Sequence, residues 1–157
     1  MMRTITERIF IMMIGLLGIL GCAGDRPNNL GARGGLLAAC SGSPNCVSSQ
    51  ADHEKHRIAP LVFNGDPDAA FACLKQILGQ RSDTTVIEDL PGYLRVELRT
   101  ILFVDDGEFL LDRTGGVIHV RSASRLGYSD LGKNRNRMEN IRRQFLEAEA
   151  KQSSLLR

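Results

Sequence analysis

An apolar run near the amino terminus most constrains what this chain folds into. The run covers residues 9–20; two arginines precede it and Gly21 follows it. A positively charged start, a short apolar stretch and small residues before a cleavage point are typical of a secretory signal peptide, whereas a membrane-spanning helix needs about 20 apolar residues. We therefore predict that residues 1–21 are a signal peptide and that the rest of the chain builds the fold.

The last residues of this run have a pattern of their own. Ile19, Leu20 and Gly21 precede Cys22, and this order is similar to the lipobox of bacterial lipoproteins. The resemblance implies that the Cys22 thiol carries lipid and that Cys22 begins the mature chain. Because two or more acyl chains make anchoring stable, we expect a membrane-anchored protein of the cell envelope that faces the periplasm. Ala23, rather than Asp, follows the cysteine, which favours the outer membrane.

Length and charge limit what the mature chain can do. It keeps 136 residues, enough for one domain with its own core. It carries 18 basic and 17 acidic residues, so the net charge is close to zero and no nucleic-acid partner is expected. We divide it into a flexible Gly-, Asn- and Pro-bearing tether over residues 22–39, one domain over residues 40–150 and a tail over residues 151–157.

Three cysteines remain besides the lipid-attachment residue, and export permits a disulfide bond. Cys40 and Cys46 enclose a turn-rich segment, Ser-Gly-Ser-Pro-Asn, which can bring the two Cα atoms within bonding range. We predict that these two residues form a disulfide bond. Cys73 falls in a helical pattern, and we predict that it is a buried thiol.

Two segments have the apolar period of amphipathic helices. In the first, Asp66 can cap the helix, Pro67 suits its first turn and Gly79 suits its end. Its apolar stripe consists of Ala70, Phe71, Leu74, Ile77 and Leu78. The second helix closes the chain, and its stripe consists of Met138, Ile141, Phe145 and Ala148.

Extended segments lie between and before these helices. Four of them are predicted at residues 84–89, 93–104, 108–112 and 117–123. The second alternates apolar and charged residues, as a half-buried antiparallel strand does. An edge strand is also expected near Pro60, which cannot donate to a ladder. The order of helix, strands and helix predicts an α+β fold, with an antiparallel sheet of about four strands and two helices packed on one face.

The longest polar run links the last strand to the last helix. Residues 120–135 read Val-Arg-Ser-Ala-Ser-Arg-Leu-Gly-Tyr-Ser-Asp-Leu-Gly-Lys-Asn-Arg. Together with Phe-Val-Asp-Asp at residues 103–106 and Ser-Pro-Asn-Cys-Val-Ser-Ser at residues 43–49, this run resembles the bacterial lipoprotein family of the domain of unknown function 1499. The resemblance covers about residues 40–146 and implies no established activity.

Acidic and basic residues are segregated along the domain. Residues 82–112 hold eight acidic and two basic residues, and the next 31 residues hold the reverse. A hairpin that brings these stretches together pairs opposite charges across the ladder. Asp105 and Asp106 are therefore candidates for structural charge pairs with Arg121 or Arg125.

The same arginines support a ligand-binding interpretation. Anions bind where Arg side chains, hydroxyl groups and the backbone N–H groups of a Gly-rich turn at a helix start come together. The expected ligand is an anionic lipid or glycan of the envelope, or an envelope protein. The candidate residues are Arg121, Ser122, Ser124, Arg125, Ser129 and Arg135. A regular strand places its arginines and its serines on opposite faces, so it cannot aim all of them at one ligand.

Catalysis and a purely structural role are the alternatives. A serine nucleophile requires a base within hydrogen-bond reach, and Ser124 or Ser129 with His119 would make an envelope hydrolase. In a structural envelope protein, the arginines would only hold their own sheet together. We favour a non-enzymatic binding protein without a cofactor. No metal site is predicted, because His53 and His56 are three residues apart where a zinc-binding helix needs four.

Overall fold

The computed structural model describes residues 24–155. The predicted signal peptide and Cys22 lie outside the described residues. In chain order the elements are β1 (Cys46–Ser48), a 3₁₀ turn (Glu54–His56), β2 (Leu61–Val62), α1 (Pro67–Gly79), β3 (Thr84–Leu90), β4 (Tyr93–Arg99), β5 (Val104–Asp112), β6 (Val117–Ser124) and α2 (Lys133–Leu155). None of the helices in residues 24–155 is long and apolar enough to cross a membrane.

The strands form one antiparallel sheet in the order β1-β6-β5-β4-β3, and β2 pairs with β6 beside β1. The predicted α+β class is confirmed, but the sheet has six strands rather than about four. The two additional strands, β1 and β2, pair with different parts of the outer edge of β6 and have only three and two residues. They are too short to show an alternation of apolar and polar residues in the sequence. Strand β2 directly follows Pro60, as expected for an edge strand.

Helix α1 begins as its sequence predicts. The Asp66 carboxylate accepts hydrogen bonds from the backbone N–H groups of Asp68 and Ala69, and Pro67 occupies the first helical position. Both helices pack on one face of the sheet and enclose a single apolar core. Its largest fully buried members are Phe109, Phe145, Leu61, Leu74, Leu78, Leu94, Leu98, Ile118, Met138 and Ile141.

The boundary between β4 and β5 differs from the prediction. Strand β4 ends at Arg99, and residues 100–103 form a tight turn in which Thr100 N donates to Phe103 O at 2.9 Å. Leu102, which the alternation placed on the buried side of a strand, is exposed in this turn. The sequence conceals the turn, because Thr-Ile-Leu-Phe contains none of the residues that usually mark one.

Residues 24–39, predicted to be a flexible tether, lie across the sheet face opposite the helices; we call them the strap. Gly31 N donates to Glu108 Oε1 of β5 at 2.8 Å, and Leu37 N donates to Gln50 Oε1 at 2.9 Å. Leu37 is buried. Because the strap is held largely through its backbone, it has no apolar period that a sequence pattern could reveal. At the other end of the chain, α2 continues to Leu155 through most of the predicted tail.

The disulfide prediction is confirmed. Cys40 and Cys46 are bonded, with their Cα atoms 5.6 Å apart. Cys73 of α1 is a free thiol, but it is half-buried rather than buried as predicted. Burial, followed by the nearby Glu149 carboxylate, raises its pKa.

Replacing Cys40 and Cys46 with serine is expected to lower the free energy of unfolding by about 2 kcal/mol, because the bond closes only a short loop. The variant should still fold cooperatively, since neither cysteine belongs to the apolar cluster that forms the core. Urea unfolding followed by circular dichroism measures the difference. A variant that no longer folds would show that the bond supports the whole domain and not only its loop.

Candidate functional site

The face of the sheet beneath the strap is built from ionised side chains. Cross-strand pairing places Arg95, Glu108 and Arg121 side by side on β4, β5 and β6, with Glu97 and Asp106 in the next row. All five are buried, and Glu108 is 0% exposed. We call these residues, together with Arg125, the charged face. Burial of ions is costly unless each finds partners of opposite charge, so the contacts of this face decide its role.

Glu108 lies at the centre of the charged face. One carboxylate oxygen accepts hydrogen bonds from Tyr93 Oη and Gly31 N, each at 2.8 Å, and the other accepts from Arg121 Nη1 at 3.0 Å. Burial, followed by the hydrogen bond to Glu108, raises the pKa of Tyr93. Three donors from two strands and the strap thus replace the water that this carboxylate has lost.

Arg125 joins the other two acids of the charged face. Its guanidinium group binds both carboxylate oxygens of Asp106, at 2.8 and 2.7 Å, and donates to Glu97 Oε1 at 2.7 Å. The hydrogen bond to Asp106, followed by that to Glu97, raises the pKa of Arg125 against the effect of burial. Burial alone would raise the pKa of Glu97, but Arg125 and then Arg99 outweigh it and lower that pKa.

The third predicted arginine has separate partners. Arg135 of α2 donates to the backbone oxygens of Arg57 and Lys55, at 2.7 and 2.8 Å, and so holds the 3₁₀ turn against the helix. The guanidinium groups of Arg121, Arg125 and Arg135 do not converge on one position. Each guanidinium group donates to a carboxylate or a backbone oxygen of its own domain.

The strand serines point to the helices, opposite the arginines. Ser122 and Ser124 both bond to Asn134 at the start of α2, whose side-chain amide also donates to Asn45 O at 3.0 Å. Ser129 lies apart in the exposed β6–α2 loop, where its hydroxyl accepts from Leu131 N at 3.3 Å. Asn134 is 0% exposed. Asn134 was not among the sequence-based candidates, although it stands within the polar run that carries the family resemblance.

The two neighbouring aspartates of β5 serve different faces. Asp106 joins Arg125 on the charged face, whereas Asp105 points to the helices and accepts from Arg137 Nη1 at 2.6 Å. The partners Glu108 and Arg137 were absent from the sequence-based candidates. Strand alternation could have identified Glu108, because it lies on the same face of β5 as Asp106 and is paired with Arg121 across the ladder.

The histidine of the hydrolase alternative lies near another serine. His119 Nδ1 is 3.2 Å from Ser49 Oγ, and Nε2 is 3.9 Å from Asp112 Oδ2. Ser124 is on the opposite face of β6 from His119 and bonds to Asn134. The Ser49 hydroxyl also accepts from Val120 N at 2.9 Å, so it fastens the chain after β1 to β6. Within residues 24–155, no three His, Cys, Asp or Glu residues are grouped to hold a metal ion.

Six large apolar side chains are exposed on two loops at one end of the sheet, and we call them the apolar tip. Ile101, Leu102 and Phe103 belong to the β4–β5 turn, and Leu126, Tyr128 and Leu131 belong to the β6–α2 loop. A cavity of about 260 Å³ joins the loops; its lining includes Phe103, Leu126 and Leu131. Gly24 contacts the same end, since a Cβ atom there would lie 2.9 Å from Leu126 Cγ.

Comparison with known proteins identifies the family and nothing more specific. A family model described as a protein of unknown function, DUF1499, matches residues 36–145. No curated protein and no solved structure matches the chain. The matched residues include the charged face, the apolar tip and most of the core. The chain therefore belongs to the DUF1499 family.

Proposed function

We propose that this protein is a lipid-anchored protein of the cell envelope whose domain works non-enzymatically at a membrane surface. The observation that carries the proposal is where the strap begins. Gly24 contacts Leu126 at the apolar tip, and two residues of chain reach at most about 7 Å. An acyl group on Cys22 would therefore leave the domain at the end that exposes its apolar loops.

The contacts of the polar run at residues 120–135 favour a structural use of its polar groups. Arg121 and Arg125 are neutralised by buried carboxylates, and the strand serines are bonded to Asn134. A nucleophilic serine needs a free hydroxyl beside a base, and the described contacts of Ser124 and Ser129 include no histidine. An anionic component of the envelope would therefore be bound by exposed groups outside the charged face.

Replacing Cys22 with serine is expected to abolish labelling of the protein with radioactive palmitate and to release it from the membrane fraction. The physical reason is that the acyl chains supply the anchoring energy, about 0.8 kcal/mol for each buried CH₂ group. Cys73→Ser is the matched control, because it removes a free thiol of the domain and should leave labelling intact.

Fractionation of the wild-type protein on a density gradient locates the membrane in the same experiment. We expect the outer membrane in a cell with two membranes, because Ala23 follows the cysteine. Undiminished palmitate labelling of Cys22→Ser would contradict lipid attachment at this residue, and recovery only with the inner membrane would contradict the expected location.

A further inference from the structure

We propose that the apolar tip is a membrane-contact surface whose side chains enter the headgroup region of a phospholipid bilayer. The inference rests on the proposed lipid attachment at Cys22 and adds the part of the domain that meets the lipid. The domain is then held at the membrane in two ways, by acyl chains at the amino terminus and by the apolar loops beside them.

The apolar tip is a concentration of exposed apolar surface and not a scatter. The other exposed large apolar residues in the described part of the chain are spread over four elements, the strap, β2, β3 and α2: Leu36, Val62, Val86, Leu90 and Leu146. Single residues of this kind are normal on a soluble surface, whereas a contiguous patch marks contact with a protein or a membrane. The tip gathers six such side chains in two adjoining loops, and Ile101 is 95% exposed.

Leu131 gives an independent reason to look for an external partner. Its φ is 53°, in the left-handed region that leucine rarely adopts, and its side chain is 93% exposed. The backbone is strained at this residue, yet the side chain packs on almost nothing in the domain. A partner outside the domain accounts for both facts, because the conformation directs an apolar side chain outward from the tip.

The position of the chain end and the flanking charges select a bilayer as that partner. Gly24 contacts the tip two residues from the proposed acylation site, so acyl chains and tip face the same surface. Lys133, exposed at the rim of the tip, is placed to meet anionic headgroups. The Arg99 side chain is also exposed on this side, by 55%, although its guanidinium group already pairs with Glu97. Tyr128 suits the membrane interface, where an amphipathic ring is favoured. The tip's Asp130 carboxylate accepts N–H bonds from Gly132 and Asn134.

Tryptophan fluorescence provides a direct test, because the chain contains no Trp. The full-length lipoprotein is expressed with Ile101→Trp, purified with its lipid and reconstituted into vesicles of phosphatidylethanolamine and phosphatidylglycerol, with or without brominated acyl chains. We expect blue-shifted emission that brominated lipid quenches. Val62→Trp is the matched control: Val62 is 52% exposed but lies by the β5–β6 turn, about 26 Å along β5 from the tip. Its emission should be unquenched.

A second variant separates membrane contact from folding. Asparagine adopts the left-handed conformation more readily than leucine, so Leu131→Asn should raise the melting temperature. Introduced beside Ile101→Trp, it should at the same time reduce quenching by brominated lipid. A merely structural role for Leu131 predicts no loss of quenching.

The outcomes distinguish this inference from the proposed function. Unquenched Ile101→Trp in protein that floats with the vesicles would overturn the membrane-contact surface and leave the lipid anchor intact. A blue shift without quenching, together with a larger oligomer in detergent, would overturn it in favour of a second copy of the chain. If the purified Ile101→Trp protein proved to carry no acyl group and its emission were still quenched, the result would support the membrane-contact surface and contradict the lipid anchor.

Discussion

Replacing Glu108 with alanine is expected to lower the free energy of unfolding by about 3–5 kcal/mol, the usual cost of breaking a buried ion pair. Arg121 would remain in the interior, only 5% exposed, without the carboxylate that binds its Nη1 atom. Its Nε atom already has no hydrogen-bond partner among the described residues. The Tyr93 hydroxyl and Gly31 N would lose their acceptor as well.

Chemical denaturation of Glu108→Ala and of a surface control measures this effect. Asp68→Ala is the appropriate control, because Asp68 also pairs with an arginine, Arg113, but the two side chains are 69% and 54% exposed. Exposed pairs contribute little to stability, so this variant should unfold almost like wild type. Equal losses in the two variants would contradict the view that the charged face is an internal support.

Replacing Arg125 with alanine is expected to cost about 3–5 kcal/mol and to exceed the cost of Arg135→Ala. Arg125 binds two buried carboxylates, Asp106 and Glu97, which would then repel each other across neighbouring strands. Arg135 donates to two neutral backbone oxygens near the surface, where a hydrogen bond is worth about 1 kcal/mol and its loss leaves no buried charge behind.

Thermal melts of the two arginine variants, combined with a vesicle-binding assay, decide between support and ligand binding. A strongly lowered melting temperature for Arg125→Ala agrees with an internal role. If Arg125→Ala melted like wild type and lost capture of anionic vesicles, the guanidinium group would belong to an anion site. Arg125→Lys is a useful third variant, because lysine keeps the charge but cannot bind Asp106 with two parallel hydrogen bonds.

The accuracy of the sequence-based expectations follows from how local each signal is. The start of α1 was predictable because Asp66 and Pro67 act on the first turn of their own helix. The disulfide was predictable because its loop is short and turn-rich. The arginine partners were harder to predict. Asp105 and Asp106 were candidates for Arg121 or Arg125, and Asp106 does bind Arg125, but Arg121 binds Glu108 and Asp105 binds Arg137. The register of the β5–β6 hairpin decides which residues of the two strands face each other.

Features that depend on distant parts of the chain left no local signal. The strap binds through backbone atoms of residues such as Gly31, and its target lies 77 positions away. Asn134 gathers groups from β6 and from Asn45, 89 positions earlier, so its burial is a property of the assembled fold. The turn at residues 100–103 was hidden for another reason: its apolar residues continue the strand pattern, which fits side chains that face something outside the domain.

The course of the strap has a mechanical consequence. A pull on the amino terminus acts first on Gly24 at the tip, then on the contact of Arg26 with Glu97, and only afterwards on the Gly31 hydrogen bond at Glu108. These contacts are met one after another, so the strap peels from the sheet while the core carries no load. Its 16 residues then extend over about 50 Å. The strap is thus a stored length of chain, which a pull on its amino-terminal end can release before the rest of the domain unfolds.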